Sequence, residues 1–362
     1  MHRYERLKVL GRGSHGVASL VCESGSGALH VVKEVDLGAM TPAAVRETRN
    51  EVEVLRSLSH VNIVAYRAAF VECDALFIVM EYADGGDLAA AIGARREERR
   101  HYAQPQAVSI LTQCVGALRH IHAMRILHRD LKSQNVFLTA SGMVKLGDFG
   151  IARMLDHTRA LALTVIGTPS HLPPEVCDGK PYGTKADIWS VGVVFYEVLR
   201  LDPPFQAANL AALIVKIVNG QPKPIPAELY GDPVRDLSRR LLRKDPERRP
   251  SASKILTAPV VRGCAELLYA ELPAHAAGAY EPSSRSDGRD ASRRRRAVAR
   301  DLTAEDSLDS LAPPGGQAAT GRAASSRPRR SAPSGSASPA RTATRSQLGD
   351  SSICARTAGG SS

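Results

Sequence analysis

The residues that decide the fold are His128-Arg129-Asp130-Leu131-Lys132-Ser133-Gln134-Asn135 and, a short distance on, Asp148-Phe149-Gly150. Both strings fall at loop positions beyond a long amphipathic helix begun near Pro105, whose apolar residues Val108, Leu111, Val115 and Leu118 recur at helical spacing. Ile188 to Leu199 and Leu210 to Val218 predict further helices. The upstream chain has a different character. From Tyr4 to Asp36 apolar residues alternate or form short β-branched runs, Val17 to Val21 and Val31-Val32, with glycines between them, which predicts strands joined by turns. Val45, Val52 and Leu55 give a helix within Pro42 to Leu58, and Leu76-Phe77-Ile78-Val79-Met80 reads as a buried strand. A small β-rich lobe thus precedes a larger helical one, with Glu81 to Gly86 connecting them.

Gly11-Arg12-Gly13-Ser14-His15-Gly16 is a G-x-G-x-x-G string, which dinucleotide-binding folds also use. A dinucleotide fingerprint must open a helix, but Val17-Ala18-Ser19-Leu20-Val21 follows here and reads as a second strand. The glycines therefore sit at a hairpin tip, where backbone N–H groups can approach nucleotide phosphates. No Gly-Lys-Ser/Thr follows, which excludes a P-loop. Standing alone, the string would be as well explained by a flexible turn.

It does not stand alone, because the glycine string, His-Arg-Asp and Asp-Phe-Gly follow one another in order. Over about Tyr4 to Val261 the sequence resembles the eukaryotic protein kinase family. The resemblance implies an α+β, bilobal fold: a small antiparallel β-sheet N-lobe with one main helix (about 4–80), a hinge (81–86) and a larger, mainly helical C-lobe (87–261). It implies ATP and Mg2+ as cofactors and protein Ser/Thr hydroxyls as acceptors. Phosphoryl transfer needs carboxylates for Mg2+, cations for phosphate oxygens and an orienting base. By resemblance Asp148 binds Mg2+, Asn135 holds a second ion, and Asp130 orients the attacking hydroxyl and accepts its proton. Gly11, Arg12, Gly13, Ser14 and Gly16 cover the phosphates. Lys33 contacts them, and Glu51, with Glu53 as its rival, pairs with Lys33 from the helix after Pro42. Glu53 would sit about 200° round that helix from Glu51. Lys132, facing the γ-phosphate, and the threonine of Gly167-Thr168-Pro169 favour Ser/Thr over Tyr substrates. Gln134 stands where kinases that select Arg three residues before the target commonly carry Glu. Its neutrality leads us to expect an apolar residue at that substrate position.

The longer strings Phe77 to Leu88 (FIVMEYADGGDL), Ile126 to Leu138 (ILHRDLKSQNVFL) and Val144 to Arg153 (VKLGDFGIAR) are similar to those of the NIMA-related (NEK) kinases. In that likeness Met80 is the gatekeeper, Glu81 and Ala83 offer hinge backbone groups to adenine, and Asp87 faces the ribose. Met80 also suits plain core filling. Thr164 is the expected regulatory phosphosite, with Thr158 as runner-up, because Arg129 commonly pairs with a phosphate on the segment from Asp148 to Glu175. Glu175 and Arg249 are expected to form an ion pair, Asp187 to brace the catalytic loop and Trp189 to anchor the core. Ser170-His171-Leu172-Pro173 departs from the family's aromatic residues and bears on the shape of the substrate groove, and Ala18 replaces a usual valine. The likeness also implies cell-cycle, cytoskeletal, centrosomal or ciliary partners and a cytoplasmic location, with cytoskeletal or nuclear association. The rival class is a pseudokinase scaffold, against which stand the intact Lys33, Glu51, Asp130, Asn135 and Asp148.

More than half of the formal net charge of +11 lies beyond His275, where 14 Arg face 8 Asp and Glu. A mildly basic body suits an enzyme handling anionic nucleotides and is weak evidence for nucleic-acid binding. Residues 262–362 read as a basic Ser/Arg/Ala/Pro-rich tail. Tyr280 is the only aromatic residue after about Leu272, so disorder is expected from there. Arg293 to Arg296 fits a nuclear-import element or mere solubility equally, and Ser331 and Ser338 are candidate phosphosites. The run Arg95 to Arg100 reads as a solvated helix face rather than a docking patch. Cys22, Cys73, Cys114, Cys177, Cys264 and Cys354 are scattered without metal-ligand spacing and read as reduced thiols. No apolar run suits a membrane span, and the Met1-to-Arg6 segment has no apolar core of a signal peptide.

Overall fold

A computed structural model of the chain describes residues 1–13, 16–38, 40–148 and 169–270, and the side chains of Glu47, Glu51 and Pro169 fall outside that description. Every described residue belongs to the first of the two units into which the chain divides, Met1–Pro314. The expectations for Ser14, His15, Thr158, Thr164, Thr168 and the tail beyond 270 lie outside the described residues.

Five antiparallel strands open the chain: β1 (Tyr4–Gly13), β2 (Gly16–Glu23), β3 (Leu29–Asp36), β4 (Tyr66–Glu72) and β5 (Ala75–Glu81), in sheet order β1-β2-β3-β5-β4. Alternation of β-branched and aromatic side chains fills both faces. Val21, Val32, Phe77 and Val79 pack together on one, and Val35, Leu76 and Ile78 pack on the other against Val52 of α1 (Pro42–Ser57). Helix α1 begins where Thr41 accepts a hydrogen bond from the Ala44 N–H and Pro42 supplies a preset first turn. In register, Ala18 faces Lys33, which faces Ile78, and Val31 faces Met80. Cross-strand partners share a face, so Lys33 lies on the same side of the sheet as α1.

The second lobe is built from α2 (Leu88–Glu97), α3 (Gln104–Ala123), the short hairpin β6 (Val136–Leu138) and β7 (Val144–Leu146), α4 (Pro174–Cys177), α5 (Thr184–Arg200), α6 (Leu210–Asn219), α7 (Asp232–Leu241), α8 (Ala252–Leu256) and α9 (Pro259–Tyr269). Helices α3 and α5 are apolar on nearly every face and form its centre, as the run Val191–Leu199, charged only at Glu197, requires. Trp189 is fully buried and stacks on Phe205 at 6.0 Å, with the Arg249 guanidinium 5.0 Å from its ring. The β-rich lobe, the connecting segment and the helical lobe lie in the order expected. One reading needs correcting. Arg96 to Arg100 are exposed, but Arg95 is 8% exposed with its guanidinium 4.1 Å from the centre of the Tyr102 ring, so it is core packing rather than solvated face. Among the described residues the cysteines are free thiols, and no helix is long and apolar enough to cross a membrane.

Candidate active site

Two backbone positions of the site are strained, one in the loop after α3 and one after β7. Arg129 (φ 65°) and Asp148 (φ 46°) both hold left-handed backbone, which costs a non-glycine residue energy unless its surroundings enforce it. Asp187, fully buried on α5, supplies that enforcement for the first of them. Its Oδ2 accepts from the His128 N–H at 3.0 Å and its Oδ1 from the Arg129 N–H at 3.1 Å. His122 Nε2 lies 2.7 Å from Oδ2, and the Tyr182 hydroxyl donates to Oδ1 at 2.8 Å. Burial pushes the Asp187 pKa up. The hydrogen bond and charge of His122, helped by His128, outweigh that and leave it below the ordinary carboxylate value. Burial also lowers the pKa of the fully enclosed His128, against the pull of Asp187 and Asp130.

On this platform the sequence-singled residues meet. Asp130 Oδ2 accepts from Lys132 Nζ at 2.9 Å and from Asn135 Nδ2 at 3.0 Å, and the same amide nitrogen donates to the Asp130 carbonyl at 2.7 Å. It also reaches the Asp148 carbonyl at 3.5 Å. Lys33 Nζ bridges the lobes to Asp148 Oδ1 at 3.1 Å. Two carboxylates, two ammonium groups and an amide thus converge at the end of β7. The placement of Asp148 depends on Gly147, where a Cβ would come within 2.7 Å of the Phe137 ring. The side chain of Glu51 falls outside the description, so its pairing with Lys33 stays an expectation. Its rival Glu53 is 69% exposed beside Arg56 and is turned away from the site.

The hairpin of β1 and β2 has one sterically obligatory glycine. A Cβ on Gly16, whose φ is +113°, would lie 1.9 Å from the Glu34 carbonyl oxygen. Gly11 and Gly13 have open space around them, and Arg12 pairs with Val17 on an exposed edge. In the connecting segment, Met80 packs against the cluster of Val35, Val52, Leu76 and Ile78, so its core role is real. The Glu81 N–H is committed to the Ala65 carbonyl at 2.8 Å. Asp87 Oδ1 caps α2 by accepting from the Ala90 N–H at 2.9 Å, a structural role that sequence reading did not assign. Gly85 fits because a Cβ would come 2.9 Å from the Leu138 carbonyl oxygen, and Gly86 takes φ +74°.

Three supporting residues escaped the sequence. His122 and Tyr182 hold Asp187, and Lys145 pairs with Glu81 at 2.7 Å, fixing the connecting segment to β7. For Lys145 the signal was its alternate position in Val144-Lys145-Leu146; for His122 and Tyr182 nothing in the spacing pointed to a role. Glu175 and Arg249 form a buried two-pronged pair, both contacts at 2.7 Å, and Arg249 also donates to the carbonyls of Arg243, Lys185 and Lys244. The departing segment docks through His171, 7% exposed, with Nε2 3.5 Å from Glu197 Oε2 and its carbonyl accepting from Ser190 Oγ.

The protein kinase domain family matches residues 4–261. Among curated relatives, the mouse (Mus musculus) serine/threonine-protein kinase Nek1 is 43% identical over 256 residues, 71% of this chain and 21% of its own length. The mouse Nek3 kinase is 41% identical over 268 residues, 73% of this chain and 51% of its own length. The mouse Nek2 kinase is 39% identical over 265 residues, 71% of this chain and 60% of its own length. The chain thus matches about a fifth to three fifths of these relatives.

Proposed function

Since the chain belongs to the protein kinase family, in its NIMA-related branch, we propose that it transfers the γ-phosphoryl group of ATP to serine and threonine hydroxyls of protein substrates. The observation that carries this is the single hydrogen-bonded cluster of Lys33, Asp130, Lys132, Asn135 and Asp148.

Each side chain has a task its contacts suit. Two donors hold Asp130 Oδ2, which orients the carboxylate toward the proton of an incoming hydroxyl. Lys132, fixed to that same carboxylate, sets a positive charge beside the attacked phosphorus. Lys33 reaches from the sheet to neutralise phosphate oxygens. The residues fit magnesium: Asn135 Nδ2 donates to Asp130, so its side-chain Oδ1 and the Asp148 carboxylate are the groups that would hold an ion completing its shell with water and phosphates. When bound, magnesium supplies neutralisation of the charge on the transferring group. Among the described residues no cluster of three or more His, Cys, Asp or Glu suggests another metal centre. The intact cluster gives the scaffold alternative no support.

For substrate choice, Gln134 lines a cavity of about 240 Å³ together with Ala89, Ile92, Leu201 and Pro203, and Arg96 and Asp202 pair at 3.8 Å among its lining residues. Ser133, Glu197, Arg96 and Asp202 make the same lining polar on one side, so the expectation of an apolar residue before the target rests on the neutrality of Gln134. Cytoskeletal, centrosomal or ciliary substrates and phosphorylation of Thr164 rest on resemblance to NIMA-related kinases. The test is radiolabelled transfer from ATP·Mg2+ to a mixed Ser/Thr/Tyr peptide library, with phosphoamino-acid analysis and an Asp148→Ala control. Label on Ser and Thr, lost in the variant and enriched on peptides with apolar residues before the target, is expected. Label on Tyr, or dominant selection of Arg, contradicts the reading.

A further inference from the structure

Helix α9, the last helix among the described residues, reaches the catalytic cluster through a buried polar chain. Tyr269, the last residue of α9, is 4% exposed and donates its hydroxyl to Asn62 Oδ1 at 2.7 Å, joining residues 207 apart in sequence. Asn62, 2% exposed, lies between α1 and β4 and donates from Nδ2 to Gln113 Oε1 and to the Val144 carbonyl, each at 2.9 Å. Gln113 Oε1 in turn accepts from the Val144 N–H at 2.8 Å. The main chain repeats the clasp, with the Leu146 N–H donating to the Asn62 carbonyl and the Val64 N–H to the Leu146 carbonyl, both at 2.8 Å. Beyond Leu146 come Gly147, whose N–H donates to the Asn135 carbonyl at 3.0 Å, and Asp148. Room for the phenol exists because position 116 on α3 is glycine. A Cβ there would sit 2.0 Å from the Tyr269 hydroxyl.

Every side-chain link is a hydrogen bond between buried groups, so losing one leaves its partner unsatisfied in a site water does not reach. We propose that Tyr269 is a positioning residue for phosphoryl transfer: by fixing Asn62 it fixes β7, the strand that delivers Asp148 and abuts Asn135. The functional domain then extends through α9 to Tyr269, past Val261 where the family match stops. The inference rests on the reading of Asp148 as a magnesium ligand, and its test separates the two.

In the full chain, amide hydrogen exchange over residues 62–64 and 144–148 and magnesium-dependent binding of ATP are compared for the parent, Tyr269→Phe, Gly116→Ala and Tyr230→Phe. Tyr230 is the control: it is 1% exposed and its hydroxyl donates to the Tyr102 carbonyl at 2.8 Å, away from the cluster. Tyr269→Phe and Gly116→Ala are expected to speed exchange in both segments roughly tenfold and to weaken the magnesium-dependent part of ATP binding about fivefold, as loss of one buried hydrogen bond permits. Tyr230→Phe is expected to lower the thermal midpoint similarly while moving neither readout. Unchanged exchange, an unchanged magnesium dependence, or an equal effect of Tyr230→Phe overturns the proposal. If the parent binds ATP with no magnesium dependence at all, the kinase reading fails instead, while the exchange arm still reports whether the clasp exists.

Discussion

At the scale of single residues, two glycines of one motif do different work. Gly16 is imposed by the fold, since any side chain would strike the Glu34 backbone. Gly16→Ala should therefore lower stability by about 1–3 kcal/mol and weaken ATP binding. Gly11→Ala, built into open space, should change stability by less than about 0.5 kcal/mol, as surface substitutions do. Thermal unfolding of the two variants separates them, and equal losses would contradict the steric account. Motif reading found both glycines but could not rank them, because the neighbour that decides is a carbonyl from β3. Likewise Asp130, Lys33, Asn135 and Asp148 were legible as residues, whereas Lys33 bonding to Asp148 in this structure was not. Spacing cannot report which of two carboxylates a lysine meets.

Elements are joined by a few buried polar contacts. Helix α4 is tied to the turn after α7 by Glu175 and Arg249, and the arginine is also the donor to three carbonyls. Arg249→Lys keeps a positive charge but removes the fork, so a loss of about 3 kcal/mol in denaturant unfolding is expected, the scale of breaking a buried pair. A loss under about 1 kcal/mol would show that a point charge suffices there. The strands of Tyr4 to Asp36 and Leu76 to Met80 and the helices α1, α3, α5 and α6 were readable from periodicity, whereas the N-cap at Thr41 emerged only with the fold. Arg95 was misread because a charge run says nothing about an aromatic ring supplied by Tyr102. The Asp187 platform was half legible: the aspartate was anticipated, but His122 and Tyr182 carry no signal outside the folded chain.

For the whole molecule, buried titrating groups set how stability depends on pH. His128 holds a pKa below its ordinary 6.5, so the unfolded chain takes up a proton that the folded chain refuses. Its contribution is present in full above about pH 6.5 and is lost as pH falls below that value. Asp187, whose pKa is depressed below 3.8, contributes stability that is lost only at still lower pH, as it protonates. Urea unfolding at pH 7.5 and pH 5.5 should show lower stability at pH 5.5. Equal or higher stability at pH 5.5 would mean that the folded chain takes up the His128 proton at least as readily as the unfolded one, as its imidazole resonances would reveal.

These levels meet in the claim that Asp130, held by Lys132 and Asn135, receives the substrate's proton. The direct measurement is the rate of phosphate transfer by Asp130→Asn, alongside its affinity for ATP·Mg2+. Transfer should fall by about a hundredfold to ten-thousandfold, the usual worth of a positioned base, while nucleotide affinity stays within about threefold of the parent. Undiminished transfer, or ATP affinity lost together with transfer, would contradict this account of the cluster.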